Sequence, residues 1–217
     1  MLSKPLENYL KSIWTLQRDH GPVSTSHVAE SLEVSPASVT SMLKKLHDMK
    51  LVNYLPYKGA TLTPRGEKVA LEILRHHRLL ELYLSEVIGL SWDRVHEEAE
   101  ELEHALSEEL EAILFEKLGN PTRDPHGDPI PTKDGRMVTD GTNLLDARAG
   151  ESFVVIRVRD RDPEILRYLE KLGLLPGVEI TVLEKLPFDG PLRVQVGAVE
   201  HTLGQKVSKE IFVSESG

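Results

Sequence analysis

The sequence contains no cysteine among its 217 residues. Disulfides, iron–sulfur clusters, thiolate zinc sites and cysteine nucleophiles are therefore excluded, and a bound metal ion must use imidazole, carboxylate or carbonyl ligands. Long hydrophobic runs are also absent, because none approaches the roughly 20 residues that cross a bilayer. The first residues lack the apolar stretch of a secretory signal. The sequence therefore predicts a cytoplasmic protein without a membrane segment.

The charge is unevenly distributed along the chain. The formal net charge of −9 would by itself argue against a nucleic-acid partner. However, residues 1–78 contain eleven Lys and Arg against seven Asp and Glu, a net of +4, whereas residues 79–118 contain two against twelve, a net of −10. We therefore expect a mildly basic module followed by a strongly acidic one.

The first 63 residues have the pattern of a winged helix-turn-helix domain. Hydrophobic spacing predicts a first helix closed by Gly21, and Ser24 or Thr25 can cap a short second helix. Ser35 as N-cap and Pro36 at the first helical position predict a third helix. Weak strand patterns around a turn at 56–59 predict a hairpin. Such a fold inserts its third helix into the DNA major groove.

The third helix is predicted to bury a hydrophobic stripe and to expose short polar side chains and lysines. Each exposed residue is either a DNA contact or simply solvated. The candidate DNA contacts begin at the start of this helix and end in the wing: Ser35, Pro36, Ser38, Thr40, Ser41, Lys44 and Lys58.

The middle of the chain is predicted to be helical. Thr63-Pro64 starts a long helix that Gly89 ends, residues 91–93 open a helix through the acidic stretch, and Ser107 caps another that stops near Gly119. Prolines and glycines between 121 and 135 then predict a boundary loop.

The last third of the chain is predicted to form a small all-β barrel, interrupted by one helical segment at 163–172. Its short, β-branched runs are residues 152–159, 178–183, 192–196, 199–203 and 206–213. The fold class is therefore mainly α with a small β domain.

Imidazole and carboxylate side chains recur at helical spacing. His77 and Glu81 lie one turn apart. His96 and Glu100 are spaced in the same way, and so are Glu100 and His104. One such pair arises easily by chance, but three pairs are rare, and the pattern therefore predicts a transition-metal site.

The predicted acidic helix places its donors on one face. A helical wheel with Leu102 at the centre of the buried stripe puts four donors on one adjacent arc: His96, Glu100, Glu103 and His104. The alternative is a solvated acidic helix that happens to contain two histidines. Repulsion among the acids favours the metal site, because a bound dication would relieve it.

The donor types narrow the choice of ion. Imidazole mixed with carboxylates, without sulfur, suits manganese, iron(II), cobalt or zinc and disfavours copper(I). His126 has no donor at helical spacing, so we interpret it as a surface or capping residue.

Several segments together resemble one known family. They are Glu7-Asn8-Tyr9-Leu10, Val39-Thr40, Leu62-Thr63-Pro64-Arg65-Gly66, His77-Arg78-Leu79-Leu80-Glu81, Val95-His96-Glu97-Glu98-Ala99, Glu103-His104 and Asn120-Pro121 through Pro131. The chain resembles, over nearly its whole length, the diphtheria toxin repressor family of metal-dependent transcriptional regulators, which has iron-sensing and manganese-sensing branches.

The resemblance implies a winged-helix DNA-binding domain (1–74), a helical metal-binding and dimerisation domain (75–140) and an SH3-like, FeoA-like domain (141–217). It also implies two metal sites. The ligands of one would be His77, Glu81 and His96, with a β-domain carboxylate from Asp160 or Asp162. The ligands of the other would be Asn8, Glu100, Glu103 and His104.

Three positions of the second site bear on its metal preference. Glu100 matches manganese-sensing members, where iron-sensing members carry cysteine. Asn8 stands where the family usually has Met or Asp, and Lys11 stands where manganese-sensing members place a glutamate ligand. An amide oxygen can still bind a metal, but a charged lysine cannot. We therefore expect a weaker or differently shaped second site.

The predicted function is a metal-dependent DNA-binding regulator, a repressor of metal-uptake genes and not an enzyme. Mn²⁺ is the expected cofactor, with Fe²⁺ as the alternative, and the expected partner is a palindromic operator in double-stranded DNA bound by a homodimer. One alternative is a ferritin-like di-metal oxidase, although only one Glu-x-x-His is present. Another is a metal-buffering protein without a DNA role.

Overall fold

A computed structural model describes residues 2–138, 140–160 and 162–215, except the side chains of residues 19 and 20. The chain forms two compact units. The first contains the residues up to His76, together with Glu103–Leu106 and Pro131–Arg136. The second contains His77–Leu102, Ser107–Ile130 and the residues from Met137 onward. No helix in the described ranges is long and apolar enough to traverse a bilayer.

The first unit contains the predicted winged helix-turn-helix. Its elements are α1 (Lys4–His20), α2 (Thr25–Ser31), α3 (Pro36–Asp48), β1 (Val52–Leu55) and β2 (Gly59–Leu62). The Ser24 and Ser35 side chains accept hydrogen bonds from the backbone N–H groups of His27 and Ser38, as N-caps do. The predicted caps of the second and third helices are thus confirmed.

Hydrophobic residues on the inner faces of the three helices form the core of this unit. Leu10, Ile13, Val39, Leu43 and Leu46 are fully buried. The wing pairs β1 with β2 in antiparallel register. Burial of these faces stabilises the domain and leaves the outer side of α3 in solvent.

Glycine is required where the next helix starts against the wing. A Cβ added to Gly66 would lie 1.9 Å from the Leu51 carbonyl oxygen. Only glycine allows this approach of two backbone segments. Gly66 lies in the first turn of α4 (Pro64–Tyr83), which continues into a single π-helical turn, Leu84–Ile88, and ends at Gly89 in the left-handed conformation.

The acidic helix is shorter than predicted. Helix α5 spans Val95–Leu102, and Glu103–Ala105 form a 3₁₀ turn. Because the helical geometry changes at Glu103, a single helical wheel does not apply to both segments. Val95 and Ala99 are buried as expected, but Leu102 is 44% exposed, so its placement at the centre of the buried stripe is wrong. Helix α6 (Glu108–Lys117) follows the predicted N-cap.

The proline-rich segment after α6 is irregular, as predicted, but it packs against the C-terminal sheet. The backbone N–H of Val158 donates to the His126 carbonyl oxygen at 2.8 Å. Gly127 has φ +85°, and an added Cβ would lie 2.0 Å from the Ile156 carbonyl oxygen. Glycine therefore allows this loop to lie directly on the strand that contains Ile156.

The C-terminal part is an antiparallel sheet with the strand order β3-β8-β4-β5-β6-β7. In the described residues this sheet is open, with β3 and β7 at its edges. The strands are β3 (Thr142–Asn143), β4 (Ser152–Val158), β5 (Glu179–Lys185), β6 (Leu192–Val196), β7 (Val199–Leu203) and β8 (Ile211–Glu215).

Two helices accompany the sheet. Helix α7 (Pro163–Lys171) packs Leu166 and Leu169 into the core of the sheet, as the helical pattern predicted. The expectation of a strand over 206–213 is wrong in its first half, because Gln205–Ser208 form the short helix α8. Strand β8 begins only at Ile211, after this helix has turned the chain.

Candidate metal centre

Four side chains of the second unit meet around one point. His77 and Glu81 lie one turn apart on α4, His96 lies on α5, and Asp160 follows β4. His77 Nε2 lies 3.0 Å from Glu81 Oε1 and 3.1 Å from His96 Nδ1. His96 Nδ1 lies 3.2 Å from Glu81 Oε1 and 3.1 Å from Asp160 Oδ2. We call these four residues the Glu81 cluster.

The donor set and its spacing fit a divalent ion. Transition metals bind imidazole nitrogen and carboxylate oxygen at about 2.0–2.2 Å, so neighbouring ligand atoms around one ion lie roughly 3 Å apart. Four contacts among the two imidazoles and two carboxylates of the Glu81 cluster are 3.0–3.2 Å long, and all four ligand atoms lie within 4.8 Å of one another. Such a mixed set without sulfur matches manganese, iron(II), cobalt or zinc.

The pKa values within the Glu81 cluster show that its surroundings favour a bound positive charge. Burial by itself raises the pKa of the fully buried Glu81 carboxyl, but the rings of His77 and His96 outweigh this and lower the pKa to about 2. Burial opposes protonation of His96, but the hydrogen bonds that its ring donates to the Asp160 and Glu81 carboxylates raise its pKa to about 11. Two ionised carboxylates, together with imidazoles that can release their protons when a metal ion binds, are suitable ligands for a dication.

The two candidate β-domain carboxylates have different surroundings. Asp160 contacts His96, whereas Asp162 is the N-cap of α7 and accepts hydrogen bonds from the backbone N–H groups of Glu164 and Ile165. Lys206 also lies 3.4 Å from Asp162 Oδ2. The geometry therefore favours Asp160 over Asp162 as the fourth ligand.

A second cluster of possible metal ligands, which shares Glu81, was not predicted from the sequence. Glu81 Oε2, Asp124 Oδ2 and His126 Nδ1 are buried, and within the described ranges none has a hydrogen-bond partner. His126 Nε2 lies 2.7 Å from the Trp92 carbonyl oxygen. Because a carbonyl only accepts, Nε2 donates to it, and Nδ1 faces Glu81 Oε2 at 3.9 Å. A histidine whose other ring nitrogen donates to a carbonyl is typical of metal-binding histidines.

The interpretation of His126 as a surface or capping residue is wrong, because its side chain is fully buried. Burial first, and then the carboxylates of Glu81 and Asp128, raise the pKa of Asp124 well above its usual value. The segment Asp124-Pro125-His126-Gly127-Asp128 has a density of oxygen and nitrogen donors that could have signalled this cluster. No helical spacing marks it, because the segment is a loop.

The donors predicted for the second site are divided between the units. Glu100 lies on α5 of the second unit, with Oε1 3.8 Å from His96 Nε2. Asn8, Glu103 and His104 all belong to the first unit. His104 Nδ1 lies 2.6 Å from Oε2 of Glu7, a residue that the sequence did not single out as a ligand.

Lys11 occupies the position beside Glu103. Its Nζ donates to Glu103 Oε1 at 2.7 Å and to Oε2 at 2.8 Å. Both carboxylate oxygens of the proposed ligand are therefore already bonded to a cation. The fit of this region to a second metal ion is poor.

The candidate DNA contacts lie mainly on an exposed surface. Ser38, Ser41, Lys44 and Lys58 are exposed, and Ser35 and Pro36 are exposed at the start of α3. Thr40 is half-buried, and its hydroxyl donates to the Pro36 carbonyl oxygen at 2.9 Å. The Ser35 and Ser38 hydroxyls lie 2.8 Å apart. The lysines and Ser41 are thus the most accessible candidates for phosphate or base contacts.

An exposed recognition helix and a partly buried cluster of nitrogen and oxygen donors are typical of a metal-responsive DNA-binding protein. Family models agree with this class. The N-terminal DNA-binding domain of iron-dependent repressors matches residues 1–60, their metal-binding and dimerisation domain matches 63–132, and the FeoA domain matches 142–215. The chain belongs to the iron-dependent repressor family, whose members are metal-dependent DNA-binding transcriptional repressors and not enzymes.

Individual relatives match over most of their length. The iron-dependent repressor IdeR of Mycobacterium bovis is 30% identical over 96% of this chain and 96% of its own. The diphtheria toxin repressor of Corynebacterium efficiens is 32% identical over 82% of this chain and 83% of its own. A solved manganese-dependent transcriptional repressor in complex with manganese is 38% identical, with a TM-score of 0.92 over 97% of this chain and 100% of its own. The ferritin-like oxidase and the metal-buffering protein are therefore not supported.

Proposed function

We propose that this protein represses metal-uptake genes when Mn²⁺, or alternatively Fe²⁺, binds at the Glu81 cluster. In the metal-bound state a homodimer binds a palindromic operator. The observation that carries this proposal is the convergence of four possible ligand atoms from α4, α5 and the segment after β4. All four lie within 4.8 Å of one another, and each is 3.0–3.2 Å from at least one other.

Manganese is favoured because the ligands are hard oxygens and imidazole nitrogens without sulfur. The solved relative that was determined with manganese supports this preference, and the iron-dependent relatives support iron(II) as the alternative. Glu100, which stands where iron-sensing members have cysteine, also favours manganese.

Helix α4 connects the metal centre with the DNA-binding domain. It starts at Pro64, directly after the wing, and carries His77 and Glu81 toward its end. A bound dication would supply positive charge beside the Glu81 and Asp160 carboxylates. Because His77 and Glu81 lie on α4 and His96 lies on α5, an ion bound to all three would fix these two helices relative to each other. If the DNA-competent arrangement binds the ion tenfold more tightly, the equilibrium shifts by about 1.4 kcal/mol.

Exposed hydrophobic side chains support dimerisation in the second unit. Val87, Ile88, Leu110 and Ile113 are each about half exposed, and Leu110 and Ile113 lie three residues apart on one face of α6. They fall within the matched dimerisation domain. Two winged helices of a dimer would then read half-sites about 34 Å or a multiple apart, through α3 and the wing.

We also propose domain boundaries near residues 74 and 140 and a cytoplasmic location. The first boundary lies within α4, and the second lies shortly before β3, where the β domain begins. A repressor acts where the DNA is, so the location follows from the proposed activity.

Selection from random DNA duplexes by the manganese-loaded protein tests this function. We expect enrichment of an inverted repeat and, in anisotropy titrations on that repeat, at least tenfold tighter binding with Mn²⁺ than with chelator. Enrichment of no sequence, or equal affinities with and without the ion, would contradict the proposal. A parallel titration with anaerobic Fe²⁺ distinguishes the two candidate metals.

A further inference from the structure

The first unit contains an internal ion pair where the family resemblance implies a metal ligand. Lys11 on α1 donates to both carboxylate oxygens of Glu103, at 2.7 and 2.8 Å. The Glu103 side chain is fully buried and that of Lys11 is 13% exposed. The charges of this pair are therefore largely removed from solvent. We propose that the Lys11 ammonium takes the place of the second metal ion in this chain.

The neighbouring donors are arranged around this ion pair. His104 Nδ1 is engaged by Glu7 Oε2 at 2.6 Å, and its Nε2 lies 3.4 Å from Glu103 Oε1. Asn8 Oδ1 is buried, and no residue in the part of the chain that the structure describes hydrogen-bonds to it. Asn8 has the position expected of a ligand, but its neutral amide adds no charge to attract an ion.

The electrostatics of this arrangement oppose a second dication. A carboxylate that accepts two hydrogen bonds from one ammonium is already neutralised by it. An ion bound to Glu103 would lie within a few ångströms of the Lys11 charge and would first have to displace it. Lysine has three donors and no acceptor, so it cannot become a ligand while charged. Only removal of the ammonium would make Glu103 available.

The ion pair also links two elements of the first unit that a second metal ion, bound to Asn8 and Glu103, would link. It joins α1 to the 3₁₀ turn Glu103–Ala105, and the Glu7–His104 contact joins the same two elements. Both contacts that make this attachment are between side chains. The inference rests on the proposed function, and it assigns the metal response of this protein to the Glu81 cluster in the second unit alone.

Metal counting with variants tests the inference. Bound Mn²⁺ per protomer is measured by equilibrium dialysis and elemental analysis in wild type, Lys11→Met, Glu103→Gln and the double variant. We expect Lys11→Met to bind one more ion per protomer than wild type, and the double variant to lose that extra ion. Glu103→Gln in the wild-type background should leave the count unchanged. Lys68→Met, an exposed lysine on α4, and Lys11→Arg, which keeps the charge, should bind as wild type does.

Two results overturn the inference: loss of one ion in Glu103→Gln, which would show that Glu103 binds metal despite Lys11, or no gain in Lys11→Met. Thermal melts provide a second readout. We expect Lys11→Met to melt at lower temperature than wild type without metal and to recover more on addition of Mn²⁺. If the proposed function fails instead, manganese will not change DNA affinity whatever these counts show, so the two failures are distinguishable.

Discussion

His96 Nδ1 lies 3.1 Å from Asp160 Oδ2, and this contact joins helix α5 to the segment that follows β4. Burial opposes ionisation of Asp160, but the hydrogen bond and charge of His96 lower its pKa well below the usual value. A carboxylate from the β domain therefore joins the candidate ligands that the helices supply. The C-terminal domain thus contributes Asp160 to the candidate metal centre of the second unit.

Asp160 and Asp162 provide a matched pair of variants. Asp160→Ala removes a carboxylate from the Glu81 cluster, so we expect Mn²⁺ affinity to fall by roughly 10–100-fold, the range seen when groups that support a metal site are removed. Asp162→Ala removes the N-cap of α7, so we expect unchanged affinity and a loss of about 1 kcal/mol in the free energy of unfolding. Isothermal titration and urea unfolding measure the two effects. A larger loss of affinity in Asp162→Ala would reverse the ligand assignment.

Much of the fold could be predicted because local signals specify it. Ser24, Ser35 and Ser107 are N-caps, and each hydroxyl accepts a hydrogen bond from the backbone N–H three residues later. Gly89, in the left-handed conformation, ends the helical segment that begins with α4. The change to a 3₁₀ turn at Glu103 has no comparable local signal. Likewise, a β-branched residue at 207 does not reveal that Gln205–Ser208 form a helix.

Residue spacing alone indicated candidate ligands only where they lie one helical turn apart, and Asp160 was a candidate only through the family resemblance. His77 and Glu81 are one turn apart, so the sequence indicates that they act together. Asp124 and His126 meet Glu81 only through the folded loop, and Gly127 allows this loop to lie on β4. Lys11 and Glu103 are likewise joined only by the tertiary fold, so the sequence could exclude Lys11 as a ligand but could not identify its partner.

Lys44 on the outer face of α3 is expected to contact a DNA phosphate. Lys44→Ala should weaken binding to all duplexes by a similar factor and reduce the slope of log affinity against log salt concentration by about 1, because one fewer counterion is released. Anisotropy titrations between low and physiological salt measure the slope. Lys68→Ala, on the exposed side of α4, is the control. Equal slopes for wild type and Lys44→Ala would show that this lysine is only solvated.

Ile113 on α6 is expected to lie in the dimer interface, because its side chain is 46% exposed within the dimerisation domain. Ile113→Asp places a charge where an apolar contact would form, so we expect a monomer by light scattering and weak operator binding. Phe188→Asp changes a fully exposed aromatic residue of the β domain and should remain dimeric. A dimeric Ile113→Asp would place the interface elsewhere.

Asp93 should make the stability of the second unit depend on pH. Hydrogen bonds from Ser91 and from Arg167, at 2.8 Å, lower the pKa of Asp93 below its usual value. A carboxyl with a lowered folded-state pKa stabilises the fold above the unfolded value of about 3.9, and this contribution disappears as the pH falls through the lower folded value.

We therefore expect Arg167→Ala to lose up to about 1 kcal/mol of stability at pH 7. The loss should become smaller as the pH falls into the range in which Asp93 is protonated. Urea unfolding at several pH values measures this difference. Arg148, whose side chain is 78% exposed, provides the control: Arg148→Ala should change stability little at any pH. A loss in Arg167→Ala that is the same at all pH values would show that packing, and not the ion pair, is responsible.

The most direct measurement is the operator affinity of wild type and Glu81→Gln, with and without saturating Mn²⁺, in one anisotropy experiment. Glu81→Gln keeps the shape of the side chain but removes the charge that the two histidines and Asp160 surround. We predict that Mn²⁺ tightens wild-type binding at least tenfold and leaves Glu81→Gln at the metal-free affinity, while circular dichroism shows that both are folded. An equal gain in both proteins would contradict the assignment of the metal switch to the Glu81 cluster.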